Sequence, residues 1–199
     1  MRIVTSCPRS GTTLVMKMLK ACGAELGDVV GVNEHRELRE GITKPYLRSI
    51  GHDALGQSSL PTYDELTPMP DFRDKVLQAT IGADIVKDNK ITLLWPLWHE
   101  HFPDAKWLLV YRDPEKIAES CVRTNFMHYY ATKAEWLEWV EEYHKRCYDL
   151  EQVADVMWIE PARIVKGDTE HFRRAIDWLG FEWNERAVLA CFNKDKWHG

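Results

Sequence analysis

Apolar positions along this chain fall into short unbroken runs and longer helical stripes, and the two alternate from end to end. Ile3 and Val4 form a short strand. After a turn of small residues, Val15, Met18, Leu19 and Cys22 recur at i, i+3, i+4 and i+7, the period of a helix with one buried face. Residues 107–111 are apolar without alternation, as in a parallel strand covered on both faces. Asp113 then suits a helix N-cap and Pro114 the first helical position, with Ile117, Ala118, Cys121 and Val122 carrying the helix onward. The longest stripe (Trp136, Trp139, Val140, Tyr143, Cys147 and Leu150) predicts a helix over 132–153, with both Trp residues in the core. Residues 156–159 predict a strand, and Phe172, Ala175, Ile176 and Leu179 a helix closed by Gly180.

The stretch between these landmarks is read more coarsely. Residues 32–50 are taken as helical, with Tyr46, Leu47 and Ile50 inward. Phe72, Val76, Leu77 and Ile81 predict a helix leading to a strand that ends at Lys87, and 91–102 a further helix. Residues 51–70 are rich in Gly, Ser and Pro and hold no period; a loop of that length is either functional or poorly ordered. Strands alternating with helices predict an α/β fold, a parallel β-sheet flanked by helices on both faces. With no repeat, low-complexity tract or composition break, residues 1–199 read as one domain.

Composition removes several function classes. A net charge of −5 argues against a general nucleic-acid binder, while leaving room for a local basic pocket. The five Cys are odd in number, widely spaced and mostly within apolar stretches, so they read as reduced core residues. No apolar run approaches the ~18 residues of a membrane span, and the first strand begins at once, without a signal peptide or membrane stem. These readings place the protein in the cytoplasm.

The candidate chemistry lies at strand ends. Between the first strand and helix, Ser10, Gly11, Thr12 and Thr13 put unpaired N–H groups at a helix N-terminus, a site for phosphate or sulfate. Gly11 clears the side chain where the backbone must approach, and Arg9 adds a guanidinium that can fork onto two oxygens. The magnesium-dependent hydrolase loop is absent, since no GxxxxGK[ST] occurs. Arg112 closes the second strand, with Ser120 eight residues on, and Lys87 closes a third in the run Lys87-Asp88-Asn89.

The run Pro-Arg-Ser-Gly-Thr-Thr resembles the 5′-phosphosulfate loop of sulfotransferases that use 3′-phosphoadenosine 5′-phosphosulfate (PAPS). Tyr-Arg-Asp-Pro-x-x-Ile-Ala-x-Ser resembles the same family's 3′-phosphate segment, and the Lys-Asp form its tyrosylprotein and bacterial branches. The resemblance runs from Arg2 to about Phe181 and is dense only in these segments. It implies a P-loop-like fold, PAPS as donor, 3′,5′-ADP as product and no metal. It also assigns residues: Arg9–Leu14, with Ser10, Gly11, Thr12 and Thr13, to the 5′ end; Arg112 and Ser120 to the 3′-phosphate; Arg9 and Lys87 to the transferring sulfonate. Asn89 stands where the cytosolic branch has its catalytic His. Glu34 is therefore the first choice of base, following the first helix where related enzymes carry a Glu, with His35 and Asp88 as competitors.

Such an enzyme moves a sulfuryl group to a hydroxyl or amine, on a small molecule, glycan, lipid or peptide. The sequence leaves two rivals: a P-loop kinase-like phosphotransferase and a non-catalytic nucleotide-binding protein. His99-Glu100-His101 is read as a solvated helix end, because i and i+2 diverge on a helix. Lys194, Lys196 and Trp197 lie where many sulfotransferases have a Gly-rich cover over the 3′-phosphate, but without that pattern.

Overall fold

The computed structural model describes residues 1–192. Its main sheet has the order β4-β1-β5-β6, with β1 Arg2–Thr5, β4 Val86–Lys87, β5 Lys106–Val110 and β6 Asp155–Ile159, all pairings parallel. Ile3 pairs with Val86 on one side and Trp107 on the other, which puts β1 in the interior of the sheet.

Alternate residues of these strands feed two separate cores. Ile3, Trp107 and Leu109 pack against α3 (Phe72–Ala79), α4 (Trp95–His101), α5 (Pro114–Val122) and α6 (Lys133–Glu151). Val4, Leu108 and Val110 pack on the opposite face with α1 (Thr12–Ala21), α7 (Pro161–Val165), α8 (Thr169–Leu179) and α9 (Glu185–Leu189). Helices therefore cover both faces, and a strand buried on both sides has no polar face to alternate. Trp136 and Trp139 are buried and meet edge to face at 5.2 Å. A capping box between Thr132 and Glu135 starts α6, Asp113 caps α5 by accepting the Lys116 N–H, and Gly180 ends α8 at φ 80°.

Two expected helices take other forms. Residues 32–50 do not begin as a helix. Glu34–His35 is a strand, β3, paired antiparallel with β2 (Val29–Val30) around a turn in which Gly31 and Asn33 have φ of 53° and 60°. Such φ values suit Gly and Asn and break helical winding. Helical structure resumes as a π-type turn at Leu38–Thr43, followed by α2 (Lys44–Ser49). Residues 91–102 split into a 3₁₀ turn, Asn89–Leu93, and α4, with Pro96 in the first turn of α4 where its missing N–H is no loss. Of the expected stripe only Phe72 and Val76 of α3 are buried; Leu77 is exposed, as is Ile81 just beyond the helix.

Candidate active site

The C-terminal ends of β4, β1 and β5 lie side by side, so the loop after β1 sits between the segments that follow Lys87 and Val110. Arg9 and Gly11 hold φ of 72° and 103°. Glycine adopts this region freely, whereas Arg9 does so at a cost in backbone strain. The Gly11 carbonyl accepts from Leu14 and Val15 N–H at 3.0 and 3.2 Å, so the N–H groups of Thr12 and Thr13 precede the helical ladder. Their hydroxyls turn elsewhere: Thr12 Oγ1 donates to Asn89 Oδ1 at 3.2 Å, and Thr13 Oγ1 to the Val32 carbonyl at 3.3 Å. What this loop offers an anion is backbone donors and the helix dipole.

On the β5 side, an Arg112 guanidinium nitrogen donates to the Arg9 carbonyl at 2.9 Å, and Arg9 Nε donates to Ser120 Oγ at 3.1 Å. Three residues from separate segments thus form one cluster. Partial burial lowers the Arg112 pKa, and repulsion from Arg9 and Arg123 lowers it further. An anion placed between Arg9 and Arg112 relieves that repulsion.

On the β4 side, Lys87 is fully buried, its Nζ donating to the Val32 carbonyl at 3.1 Å and to Glu34 Oε1 at 3.2 Å. Glu34 Oε2 lies 3.7 Å from Lys90 Nζ and 3.5 Å from Arg39 Nε. Lys90 Nζ is 2.9 Å from Asp88 Oδ1, and Asp88 Oδ2 accepts the Thr43 hydroxyl at 2.7 Å. Three cations here meet two carboxylates. Burial lowers the pKa of Lys87, with Glu34 and Asp88 opposing it. Burial also works against the Lys90 ammonium, but Asp88 and Glu34 outweigh it and raise its pKa. Burial favours neutral Asp88, yet Lys90 holds the carboxylate below its ordinary range. His35 Nδ1 accepts the Lys87 backbone N–H at 3.3 Å, so its ring proton resides on Nε2, and burial lowers its pKa.

These segments wall a cavity of about 520 Å³, a size suited to a small ligand. Arg9, residues 11–14, Arg112 and Glu34 line it. Ser10, Ser120, Lys87, His35 and Asp88 stand off the lining and are buried. Ser120 meets Arg9 from behind, and Lys87 meets Glu34 from behind.

A family model described as a sulfotransferase domain matches residues 3–196. The chain belongs to the sulfotransferase family. Two solved structures resemble it. One is the sulfotransferase domain from the Synechococcus PCC 7002 olefin synthase, with TM-score 0.61 and 18% identity over 97% of this chain and 77% of that one. The other is sulfotransferase STF9 from Mycobacterium avium, with TM-score 0.51 and 17% identity over 95% of this chain and 66% of that one. No curated protein matches the sequence. At these identities the structural likeness supports the P-loop-like fold; the family rests on the domain match.

Several residues of the sulfotransferase cavity escaped the sequence reading. Lys90 lines it, three residues past Lys87, because Asp88 caps the short 3₁₀ turn by accepting the Lys90 N–H at 2.9 Å. The signal available was the Asp-x-Lys spacing after a strand. Arg39 also lines it, from the π-type turn, and nothing in the sequence marked it. Leu55 and Gln57 bring the 51–70 segment to the wall. That segment is tied down, with Trp139 Nε1 and Tyr143 OH donating to the Gly56 carbonyl at 3.0 and 3.2 Å. His101 packs its ring 5.2 Å from Phe72, and among the described residues no group of three or more His, Cys, Asp or Glu is placed to hold a metal. No helix among the described residues is long and apolar enough to cross a membrane. Lys194, Lys196 and Trp197 lie outside the described residues.

Proposed function

We propose that this sulfotransferase takes PAPS as donor and passes its sulfuryl group to an acceptor hydroxyl or amine. The observation that carries the reading is geometric: Arg9 and Arg112, joined through the Arg9 carbonyl, line one cavity together with Thr12 and Thr13, whose N–H groups precede the helical ladder. PAPS carries an anionic group at each of two positions of its ribose, the 5′-phosphosulfate and the 3′-phosphate. Bound there, it supplies the sulfuryl group and 3′,5′-ADP as leaving group.

The residues divide the work by position. The N–H groups of Thr12 and Thr13 bind the 5′-phosphate, and Arg9 neutralises charge that develops on the bridging oxygen as its bond to sulfur breaks. Arg112 holds the 3′-phosphate, with Ser120 fixing the Arg9 side chain from α5. Lys87 and Lys90 supply the positive field on the other side. Lys90 lines the cavity directly, whereas Lys87 contacts the transferring group only by leaving Glu34. Glu34 is the carboxylate of the lining and takes the acceptor's proton on Oε2, its more loosely paired oxygen. His35 and Asp88 are engaged elsewhere and off the cavity.

Titration calorimetry tests the donor assignment. A charged hydrogen bond contributes roughly 1.5–3 kcal/mol, so 3′,5′-ADP should bind about 10- to 100-fold more tightly than 5′-AMP. The preference should collapse in Arg112→Ala. Equal affinities in the wild type would overturn the reading. A strict magnesium requirement for turnover would favour the kinase-like alternative.

A further inference from the structure

Asn89 lines the cavity where the phosphate loop meets the β4 side, and it is only 7% exposed. Both its backbone and its side chain are held in place. The Thr5 hydroxyl of β1 donates to the neighbouring Asp88 carbonyl at 2.9 Å, and the Asp88 carboxylate caps the short turn that Asn89 opens. The Asn89 amide oxygen, Oδ1, accepts the Thr12 hydroxyl at 3.2 Å, which sets the orientation of the amide. Its nitrogen, Nδ2, then carries two N–H groups, and no described residue supplies an acceptor for either.

A side chain buried this deeply ordinarily spends its donors. The polar neighbours on the wall do so: Lys90 pairs with Asp88 at 2.9 Å, and Gln57 donates to the Phe126 carbonyl at 2.8 Å. Asn89 instead keeps its nitrogen for something that enters the cavity. The hydroxyl that orients it belongs to Thr12, whose N–H meets the 5′-phosphate in the reading above. A donor anchored at Arg112, on the β5 side of the loop, carries its sulfuryl group beyond that phosphate towards the β4 side. An amide N–H donates and takes no proton, so Nδ2 suits an anionic oxygen and cannot serve as a base.

We infer that Asn89 binds the sulfuryl group of PAPS, with Nδ2 donating to a sulfuryl oxygen and turning the bond to be broken in line with an acceptor beside Glu34. The inference rests on the PAPS reading above. In the transfer the acceptor oxygen bonds to sulfur, and the bond from sulfur to the bridging oxygen breaks with its electrons leaving on 3′,5′-ADP. The acceptor's proton passes to Glu34, and Asn89 keeps both of its own. Its work is orientation, where a misplacement of about 1 Å can cost about 10²-fold in rate.

The product 3′,5′-ADP lacks the sulfuryl group, so comparing it with PAPS by calorimetry isolates this contact. A hydrogen bond to a charged group corresponds to about 10-fold or more in affinity. Asn89→Ala should weaken PAPS about 10-fold and leave 3′,5′-ADP within twofold of wild type, which also shows that the variant folds. Asn89→Asp keeps the shape and the oxygen that Thr12 holds, but turns a carboxylate oxygen towards the sulfuryl group. It should weaken PAPS relative to 3′,5′-ADP by more than Asn89→Ala does, and it decides the question should the alanine variant not fold. Equal losses for both nucleotides assign Asn89 to holding the loop and overturn the inference, as does a PAPS affinity that neither substitution changes. A wild type that binds neither nucleotide refutes the donor reading beneath it, a result distinct from either of these.

Discussion

Glu34→Gln probes the β4-side charge network for stability and chemistry at once. Glu34 is the nearest carboxylate to the fully buried Lys87, at 3.2 Å. At that distance, with an effective dielectric constant of about 20, the attraction is about 5 kcal/mol. Removing one partner of a buried pair leaves the other charge uncompensated, at a cost of roughly 3–5 kcal/mol. Asp88 also attracts Lys87, which favours the lower figure. A loss of about 3 kcal/mol in a chain of this length lowers Tm by about 6–12 °C.

The deficit should depend on pH with a definite sign. Burial already lowers the Lys87 pKa from 10.5, and loss of Glu34 lowers it more. The unfolded chain keeps its lysine proton up to about 10.5, so between the folded and unfolded values it binds more protons than the folded state. The penalty is therefore full below the lowered Lys87 value and shrinks as pH rises through it towards 10.5. Thermal melts across pH 7–10 measure this, and Lys87→Met in the Glu34→Gln background should recover most of the loss. A variant that melts within about 2 °C of wild type at pH 7 refutes the reasoning, as does a deficit that is flat with pH. Turnover measured well below the lowered Tm should fall about 10²–10⁴-fold if Glu34 is also the base, while 3′,5′-ADP affinity stays near wild type.

Arg9→Gly removes the guanidinium without the strain that Ala would carry at φ 72°, and should cut turnover about 10²–10³-fold while weakening 3′,5′-ADP less. Wild-type turnover in that variant removes Arg9 from the mechanism. His144 is buried beside the Tyr111 ring, 5.6 Å away, and burial lowers its pKa from 6.5 to about 4. Below pH 6.5 the unfolded chain gains a proton the folded chain refuses, so stability falls by about 3 kcal/mol as pH drops to about 4. His144→Phe should flatten the dependence of Tm on pH across that window, and an unchanged acid slope refutes the assignment.

Much of the fold is legible one residue at a time because its causes are local. A strand covered on both faces must be apolar at every position, and 107–111 reads that way; the 3.6-residue stripe from Trp136 to Leu150 and the caps at Thr132, Asp113 and Gly180 follow from helix geometry. Adjacent strands 1 and 5, each running into a turn and a helix, also bring Arg9 and Arg112 to one sheet edge, because parallel strands share their C-terminal end. The β4 side was less legible. Glu34 reads as part of a charged helix until Gly31 and Asn33 adopt positive φ and fold it into a hairpin, whose pairing aims it at Lys87.

Which lysine faces the cavity depends on packing. Both Lys87 and Lys90 are buried, but Glu34 of β3 stands between the first and the cavity, while the capped turn brings the second to the cavity wall. The same holds for Arg39, Leu55 and Phe126, which no periodicity connects. Residue type and spacing thus determined most of the secondary structure outside 29–43 and the turn between β1 and α1 with Arg9, since each depends on the backbone of a few consecutive residues. The tertiary structure decided the charge network around Glu34 and the cavity wall that Arg39, Leu55 and Phe126 complete, because both are made of side chains that meet only after segments distant in sequence have packed.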